Sequence, residues 1–408
     1  MEIEIGRGKK ARRAYGFDEI AIVPSRRTRD PDDVDISWKL GDYRFELPLL
    51  ASAMDGVVSP RTAGLIGQLG GLAVLNLEGV YTRYEDADEQ LERIARLPKE
   101  QATREMQAIY RAPLRPELVA RRIREIKEQG VVVAGALTPQ RVSEHYELAL
   151  EAGLDILVIQ GTVVSAEHKS EHTTPLNLKE FIREVGVPVV VGGCASYHAA
   201  LHLMRTGAAA VLVGVGPGAA CTTRGVLGIG VPQATAIADA AAARSQHMLE
   251  TGEYVKVIAD GGMRTGGDVS KAVACGADAV MIGSPLARAH EAPGRGFHWG
   301  MATFHASLPR GARVATVRNG TLEEILTGPA HENDGTFNLF GALRTSMATC
   351  GYKDIAEFNR AELMIAPALQ TEGKQLQSSQ GVGMGARSGG SAAAPANGGE
   401  KAEKAAEA

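Results

Sequence analysis

At 408 residues, 44% hydrophobic and 23% charged, the chain can bury a large core, and a single α/β barrel with insertions accounts for that length. A formal net charge of −4 gives no electrostatic reason to expect a nucleic-acid or anionic-membrane partner. The four cysteines, Cys194, Cys221, Cys275 and Cys350, are widely spaced without a CxxC pair, which points away from zinc ribbons and disulfide frameworks and toward a reducing cytoplasm.

In chain order, residues 1–15 are too polar for a signal peptide, and Lys9, Lys10, Arg12 and Arg13 form a basic cluster read as solvated surface. Short β-branched apolar runs then recur at 48–54, 71–76, 131–137, 155–161, 188–194, 209–216, 255–262 and 278–284, most of them followed by a helical stretch. Their apolarity is continuous rather than alternating, so the strands they predict are buried on both faces, as in a parallel sheet covered by helices. Eight such units are the number that closes a (β/α)8 TIM barrel. An open doubly wound sheet, which ordinarily carries its glycine fingerprint after the first strand, is the alternative. Between the second and third strands, helical spacing at 84–97 and 116–127 predicts helices on the barrel wall. Residues 291–320 carry many Gly, Pro, Arg and His residues without periodicity and predict a mobile lid over the barrel mouth. Residues 1–376 therefore read as one barrel domain with its lid, and the Gly/Ser/Ala-rich residues 377–408, which have no apolar stripe to bury, as a disordered tail. No apolar segment is long enough to span a bilayer.

In such barrels the loops after the strands build the site. After the sixth strand, Gly214-Val215-Gly216-Pro217-Gly218-Ala219-Ala220-Cys221-Thr222-Thr223-Arg224 places one cysteine at the end of a glycine-rich turn. A thiol held among close backbone N–H and C=O groups can lose its proton and act as a nucleophile, so Cys221 is the candidate for covalent catalysis. After the seventh strand comes Asp260-Gly261-Gly262, and after the eighth Gly283-Ser284. Two adjacent glycine turns can present backbone N–H groups to a phosphate, with the Ser284 hydroxyl added, while Asp260 stands where it can accept from vicinal ribose hydroxyls. Asp55, after the first strand, reads as a helix cap or a site residue, and Cys194 as packing. The histidines form no HExxH pattern, and His168 with His172 at i, i+4 in a polar stretch is a weak metal signal that is set aside.

With these motifs in hand, the chain closely resembles the IMP dehydrogenase/GMP reductase family over most of residues 15–365. The match includes Tyr15-Gly16-Phe17-Asp18-Glu19-Ile20, Pro48-Leu49-Leu50-Ala51-Ser52-Ala53-Met54-Asp55, the cysteine loop, residues 230–237, residues 258–267, Met281-Ile282-Gly283-Ser284, and Gly300-Met301 opening the lid. The resemblance implies a purine nucleoside 5′-monophosphate (IMP, XMP or GMP) bound across the mouth, with Cys221 attacking C2 of the purine and Thr223 beside it. It makes Ser52, Met54, Asp260, Gly261, Gly262, Gly283, Ser284, Gly300 and Met301 substrate contacts, Gln160 and Thr162 cofactor contacts, and NAD the cofactor. The backbone carbonyls of Gly216, Gly218 and Cys221 become ligands for a monovalent cation, K⁺. It further implies a homotetramer or homo-octamer, and the 77–130 segment is too short for the paired CBS regulatory domains common in the dehydrogenases.

The chain also departs from the family pattern. Ala219 replaces a phosphate-holding serine, Gln160 an aspartate beside the nicotinamide ribose, and Gly193 an asparagine near the reacting centre. The Arg-Tyr pair that activates water is missing from the short lid, where Arg310 is the substitute by elimination, with Arg313 and His305 as alternatives. An arginine at 310 also stands where a reductase needs its glutamate. The implied reaction is NAD-dependent oxidation of IMP to XMP; the alternatives are NADPH-dependent reduction of GMP and a catalytically silent nucleotide-binding protein.

Overall fold

The computed structural model describes residues 2–171, 175–300 and 312–366, together with 376, 377, 380, 382 and 383. Eight parallel strands pair strictly in sequence order and close: β1 Leu49–Ala51, β2 Leu72–Asn76, β3 Ala134–Leu137, β4 Ile156–Gln160, β5 Val189–Cys194, β6 Ala210–Val213, β7 Lys256–Asp260 and β8 Ala279–Ile282. Closure is made by β8 on β1, with Val280 opposite Leu49 and Ile282 opposite Ala51. Each strand lies inside one of the eight predicted runs, and the sheet is the (β/α)8 TIM barrel rather than the open alternative. Continuous apolarity has the expected cause, because six of the strands are buried at every position. Only β4 and β7 carry partly accessible residues: Gln160 and Asp260 at their C-terminal ends, and Lys256 at the start of β7.

The wall helices are α1 Pro60–Gln68, α2 Pro116–Lys127, α3 Val142–Glu151, α4 Leu178–Val185, α5 Tyr197–Met204, α6 Gln233–Thr251, α7 Gly266–Ala274 and α8 Leu339–Thr349. Local chemistry sets several of their starts: Ser59, Asn177, Ser196, Thr265 and Asn338 each accept a first-turn N–H. The predicted helix at 116–127 lies on the wall, burying Val119, Ile123 and Ile126 in the barrel core.

The stretch before it differs from expectation. It forms two helices, Ala87–Arg96 and Lys99–Ile109, which build a small core of their own from Val80, Tyr81, Leu91, Ile94, Met106 and Ile109, completed by Trp299. The ends of the predicted lid are also more regular than a loop. Phe297–His298 pairs antiparallel with Val314–Ala315 to make a stem, while residues 301–311 and the greater part of the tail lie outside the described residues. The basic cluster near the N-terminus belongs to an exposed hairpin, Glu2–Gly6 and Lys9–Arg12, tied to α6 by a two-pronged Arg12–Asp239 pair at 3.0 and 3.1 Å.

At the N-terminal ends of the strands, buried charge is fully paired. Asp278 accepts from Arg244 at 2.7 Å, from the Val257 N–H at 2.8 Å and from the Tyr254 hydroxyl at 2.8 Å. Asp155 accepts from Lys127 at 2.6 Å, Tyr43 at 3.1 Å and the Val133 N–H at 2.9 Å. Such sets satisfy a desolvated carboxylate and fix the strand ends.

Candidate active site

The C-terminal ends of the strands surround a cavity of about 810 Å³, toward the upper end of small-molecule sites. On one side β6 runs into the cysteine loop, pressed against the neighbouring strand so closely that a Cβ on Gly214 would lie 2.2 Å from the Asp260 carbonyl. Gly216 turns the chain at φ +77°, a conformation open to glycine, with the Arg224 side chain packed against it. Arg224 spans the loop by donating to the Val215 and Val231 carbonyls at 3.3 and 2.6 Å, and the Cys221 N–H donates to the Gly218 carbonyl at 3.0 Å. The Cys221 thiol donates to the Thr223 hydroxyl at 3.2 Å. Cys221 is exposed, whereas Cys194, Cys275 and Cys350 are buried. Burial pushes the Cys194 and Cys275 thiols up to about 12, so neither supplies a thiolate near neutral pH.

Across the mouth, Gly261 and Gly262 follow β7 at φ +77° and +83°, which leaves their backbone facing the cavity without side chains. Asp260 can be reached from the cavity, yet protein surrounds it densely, and this desolvation pushes its carboxyl up to about 7. Its side-chain partner is Gln160, whose amide donates at 3.0 Å. The other Gln160 amide atom, Oε1, has no partner among the described residues. Gly283 is held against Met54, where a Cβ would meet the sulfur at 2.5 Å, and Ser284 joins it at the rim with its hydroxyl 2.7 Å from Nε2 of His298.

Of the residues singled out in the sequence, Ser52, Met54, Gln160, Thr162, Gly216, Gly218, Cys221, Thr223, Asp260, Gly261, Gly262, Gly283, Ser284 and Gly300 all line this cavity. Met301, Arg310 and His305 lie outside the described residues. Arg313 is described and is committed elsewhere: it donates to the carbonyls of Ile94 and Leu97 at the C-terminal end of the helix Ala87–Arg96, and its guanidinium lies 4.2 Å from the centre of the Phe297 ring. That position makes it an anchor of the stem, not a base. Gly193 has a steric cause, since a Cβ there would meet the Gly214 carbonyl at 2.5 Å and displace the cysteine loop.

Asp55 is not the cap of α1, and it does not line the cavity. Ser59 caps α1, and Asp55 lies buried behind the cavity, where the Tyr110 hydroxyl donates to it and Trp299 donates in turn to Tyr110 at 2.7 Å. Burial holds the Asp55 carboxyl up at about 6. Sequence reasoning missed two further residues. Gln233 donates to the Val213 and Asp260 carbonyls at 2.8 and 3.0 Å, joining the ends of β6 and β7, and its only signal was membership of the 230–237 motif. His298, beneath Ser284, gave none. Among the described residues no three His, Cys, Asp or Glu side chains gather as a metal site, and no helix is long and apolar enough to cross a membrane.

Fold and site together define a barrel that presents a cysteine-bearing loop and two glycine turns at one mouth. The chain belongs to the IMP dehydrogenase/GMP reductase family, whose domain model matches residues 14–375. It is 48% identical to an uncharacterized oxidoreductase of Mycolicibacterium smegmatis over 372 residues, 89% of this chain and 99% of that one. An inosine-5′-monophosphate dehydrogenase of Cryptosporidium parvum is 31% identical over 68% of this chain and 69% of its own length. The crystal structure of an IMP dehydrogenase/GMP reductase-like protein from Corynebacterium glutamicum superposes with a TM-score of 0.85 at 44% identity, covering 89% of this chain and 97% of that chain.

Proposed function

We propose that the protein oxidises IMP to XMP with NAD⁺ through a covalent intermediate on Cys221. The observation that carries this reading is the exposed Cys221 thiol, set against Thr223 on the same cavity rim as the two glycine turns and Asp260. In the proposed cycle the thiolate adds to C2 of the purine, forming a C–S bond. The hydride leaves C2 for the nicotinamide ring, and a thioimidate remains on Cys221. Water then adds at C2, the C–S bond breaks, and XMP and the thiol are released, so IMP, NAD⁺ and H₂O give XMP, NADH and H⁺.

The residues take the following parts. Gly262, Gly283 and Ser284 hold the phosphate, Asp260 accepts from the ribose hydroxyls, and Ser52, Met54, Gly261, Gly300 and Met301 enclose the nucleotide. Gln160 and Thr162 border the nicotinamide end. Arg310 supports attack by water. A guanidinium with a pKa above about 12 acts this way only when desolvated and held ready to lose its proton. The carbonyls of Gly216, Gly218 and Cys221 suit a monovalent cation. The Gly218 carbonyl already accepts the Cys221 N–H, and its second lone pair stays available to such an ion. A bound ion would fix the loop for attack, so turnover is expected to be faster in K⁺ than in Li⁺ at equal ionic strength; equal rates would remove the ion from the cycle.

Absorbance at 340 nm tests the reaction. IMP with NAD⁺ should generate NADH, and the Cys221→Ala chain should not. Consumption of NADPH with GMP would assign the reductive direction instead, and nucleotide binding without turnover under either condition would leave a binding protein.

A further inference from the structure

His298 is almost fully enclosed, at 1% exposure, on the stem strand Phe297–His298. The strand lies against the turn after β1 at Gly56, where a Cβ would meet the Phe297 carbonyl at 2.7 Å and the His298 Cα at 3.1 Å. Its ring has two different nitrogens. Nε2 is 2.7 Å from the Ser284 hydroxyl, and Nδ1 is buried with no partner among the described residues. Burial holds the imidazolium form down, to a pKa of about 4, so near neutral pH the ring carries one proton.

Where that proton sits decides what Ser284 can do. With the proton on Nδ1, a donor N–H would be buried without an acceptor among the described residues, and Nε2 would accept a hydrogen bond from the Ser284 hydroxyl, turning its proton inward. With the proton on Nε2, the ring donates to the Ser284 oxygen and leaves only a bare acceptor nitrogen unpaired at Nδ1. Orphaned buried donors are rarer than under-satisfied acceptors, which favours the second arrangement.

We propose that His298 is a positioning residue: as the Nε2–H tautomer it donates to Ser284 and so leaves the Ser284 hydroxyl proton directed into the cavity as a donor to an anion. This rests on the reading of the Gly283-Ser284 turn as a phosphate subsite. Its consequence is selectivity for a phosphorylated nucleoside over the same nucleoside without phosphate, set from a side chain that does not itself line the cavity.

Two measurements on the full chain separate this proposal from the subsite reading. Long-range ¹H–¹⁵N NMR of histidine-labelled protein without nucleotide reports the tautomer directly: Nε2–H is expected, and Nδ1–H overturns the proposal whatever the ligand. Calorimetric titration with IMP and with inosine then reads selectivity. Ser284→Ala and His298→Leu should each weaken IMP binding about tenfold, the scale of one hydrogen bond to a charged group, and leave inosine binding unchanged. His298→Gln, which keeps an amide donor, should restore most of the loss, and His298→Leu should add nothing in the Ser284→Ala background. Equal weakening of IMP and inosine, or additive losses in the double variant, overturns the positioning role. Unchanged IMP affinity in Ser284→Ala instead overturns the phosphate subsite, and the selectivity role with it.

Discussion

Asp260 and Asp278 are both barrel aspartates, one ending β7 and the other leading into β8, and their surroundings are opposite. Asp278, at the base, has a guanidinium, a phenol and a backbone N–H on its two oxygens. Asp260, at the mouth, has one side-chain donor among the described residues, the Gln160 amide, and its carboxyl is pushed up to about 7. The same side chain therefore fixes strands at one end of the barrel and remains under-satisfied at the other, where a ligand's hydroxyl groups would complete its hydrogen bonds. Among the described residues, Gln160 Oε1 and Gln233 Oε1 at the mouth and His298 Nδ1 behind it are also unpaired, as are His145 Nε2 and both ring nitrogens of His247 away from the cavity. Buried polar groups are ordinarily partnered, and strand C-terminal ends are where such barrels place their chemistry.

If the mouth is built for chemistry and the base for stability, substitutions should separate the two properties. The largest effect belongs to Cys221→Ala, expected to lower turnover by several orders of magnitude while stability to denaturant changes by no more than about 0.5 kcal/mol. A large stability loss there would blur the division. At the base, Asp278→Ala leaves Arg244 buried without its partner and should cost about 3–5 kcal/mol, with kcat/KM per folded molecule preserved. A selective loss of activity in the still-folded variant would break the comparison from the other side.

The next effect depends on pH. Asp260 has a folded pKa of about 7 and an unfolded one of about 3.9, so between these values the folded chain holds a proton that the unfolded chain releases. Its contribution to stability therefore falls as pH rises from about 4 to about 7 and is level above. Asp260→Asn removes that dependence: its stability relative to the parent should improve between pH 5 and pH 8, on the order of a few kcal/mol, while nucleotide binding weakens. Urea titrations at both pH values check this, and an unchanged difference would contradict the raised carboxyl. The smallest effect is expected from Gln160→Leu, which removes the donor that opposes the shift. The pH profile of nucleotide binding should move upward, and a profile that stays in place would mean Gln160 does not hold the Asp260 carboxylate.

The barrel was legible because strands buried on both faces write themselves as continuous apolar runs, and all eight fall where those runs stand. The glycine turns were legible for a related reason, since Gly216, Gly261 and Gly262 occupy conformations that other residues rarely adopt. Pairings across the barrel were not. Gln160 meets Asp260 over a separation of 100 residues, and Tyr110 meets Trp299 over 189. The helix Lys99–Ile109 was missed because it buries only Ala102, Met106 and Ile109, part of a small core that Trp299 completes from far along the chain. Asp55 was weighed only against its neighbours in sequence, and its partner Tyr110 comes from that helical insertion. Arg313 was a plausible base while its distance from the helix Ala87–Arg96 was unknown; its bonds to Ile94 and Leu97 make it an anchor.

Covalent catalysis at the mouth is tested most directly by rapid acid quenching of the full chain during turnover with IMP and NAD⁺, followed by peptide mass spectrometry. The peptide containing Cys221 should gain the mass of the nucleotide less two hydrogens, the transferred hydride and the thiol proton, and the signal should vanish when either reactant is omitted. NADH formation with Cys221 unmodified at every quench time, or with turnover retained in Cys221→Ala, would contradict a thioimidate on this residue.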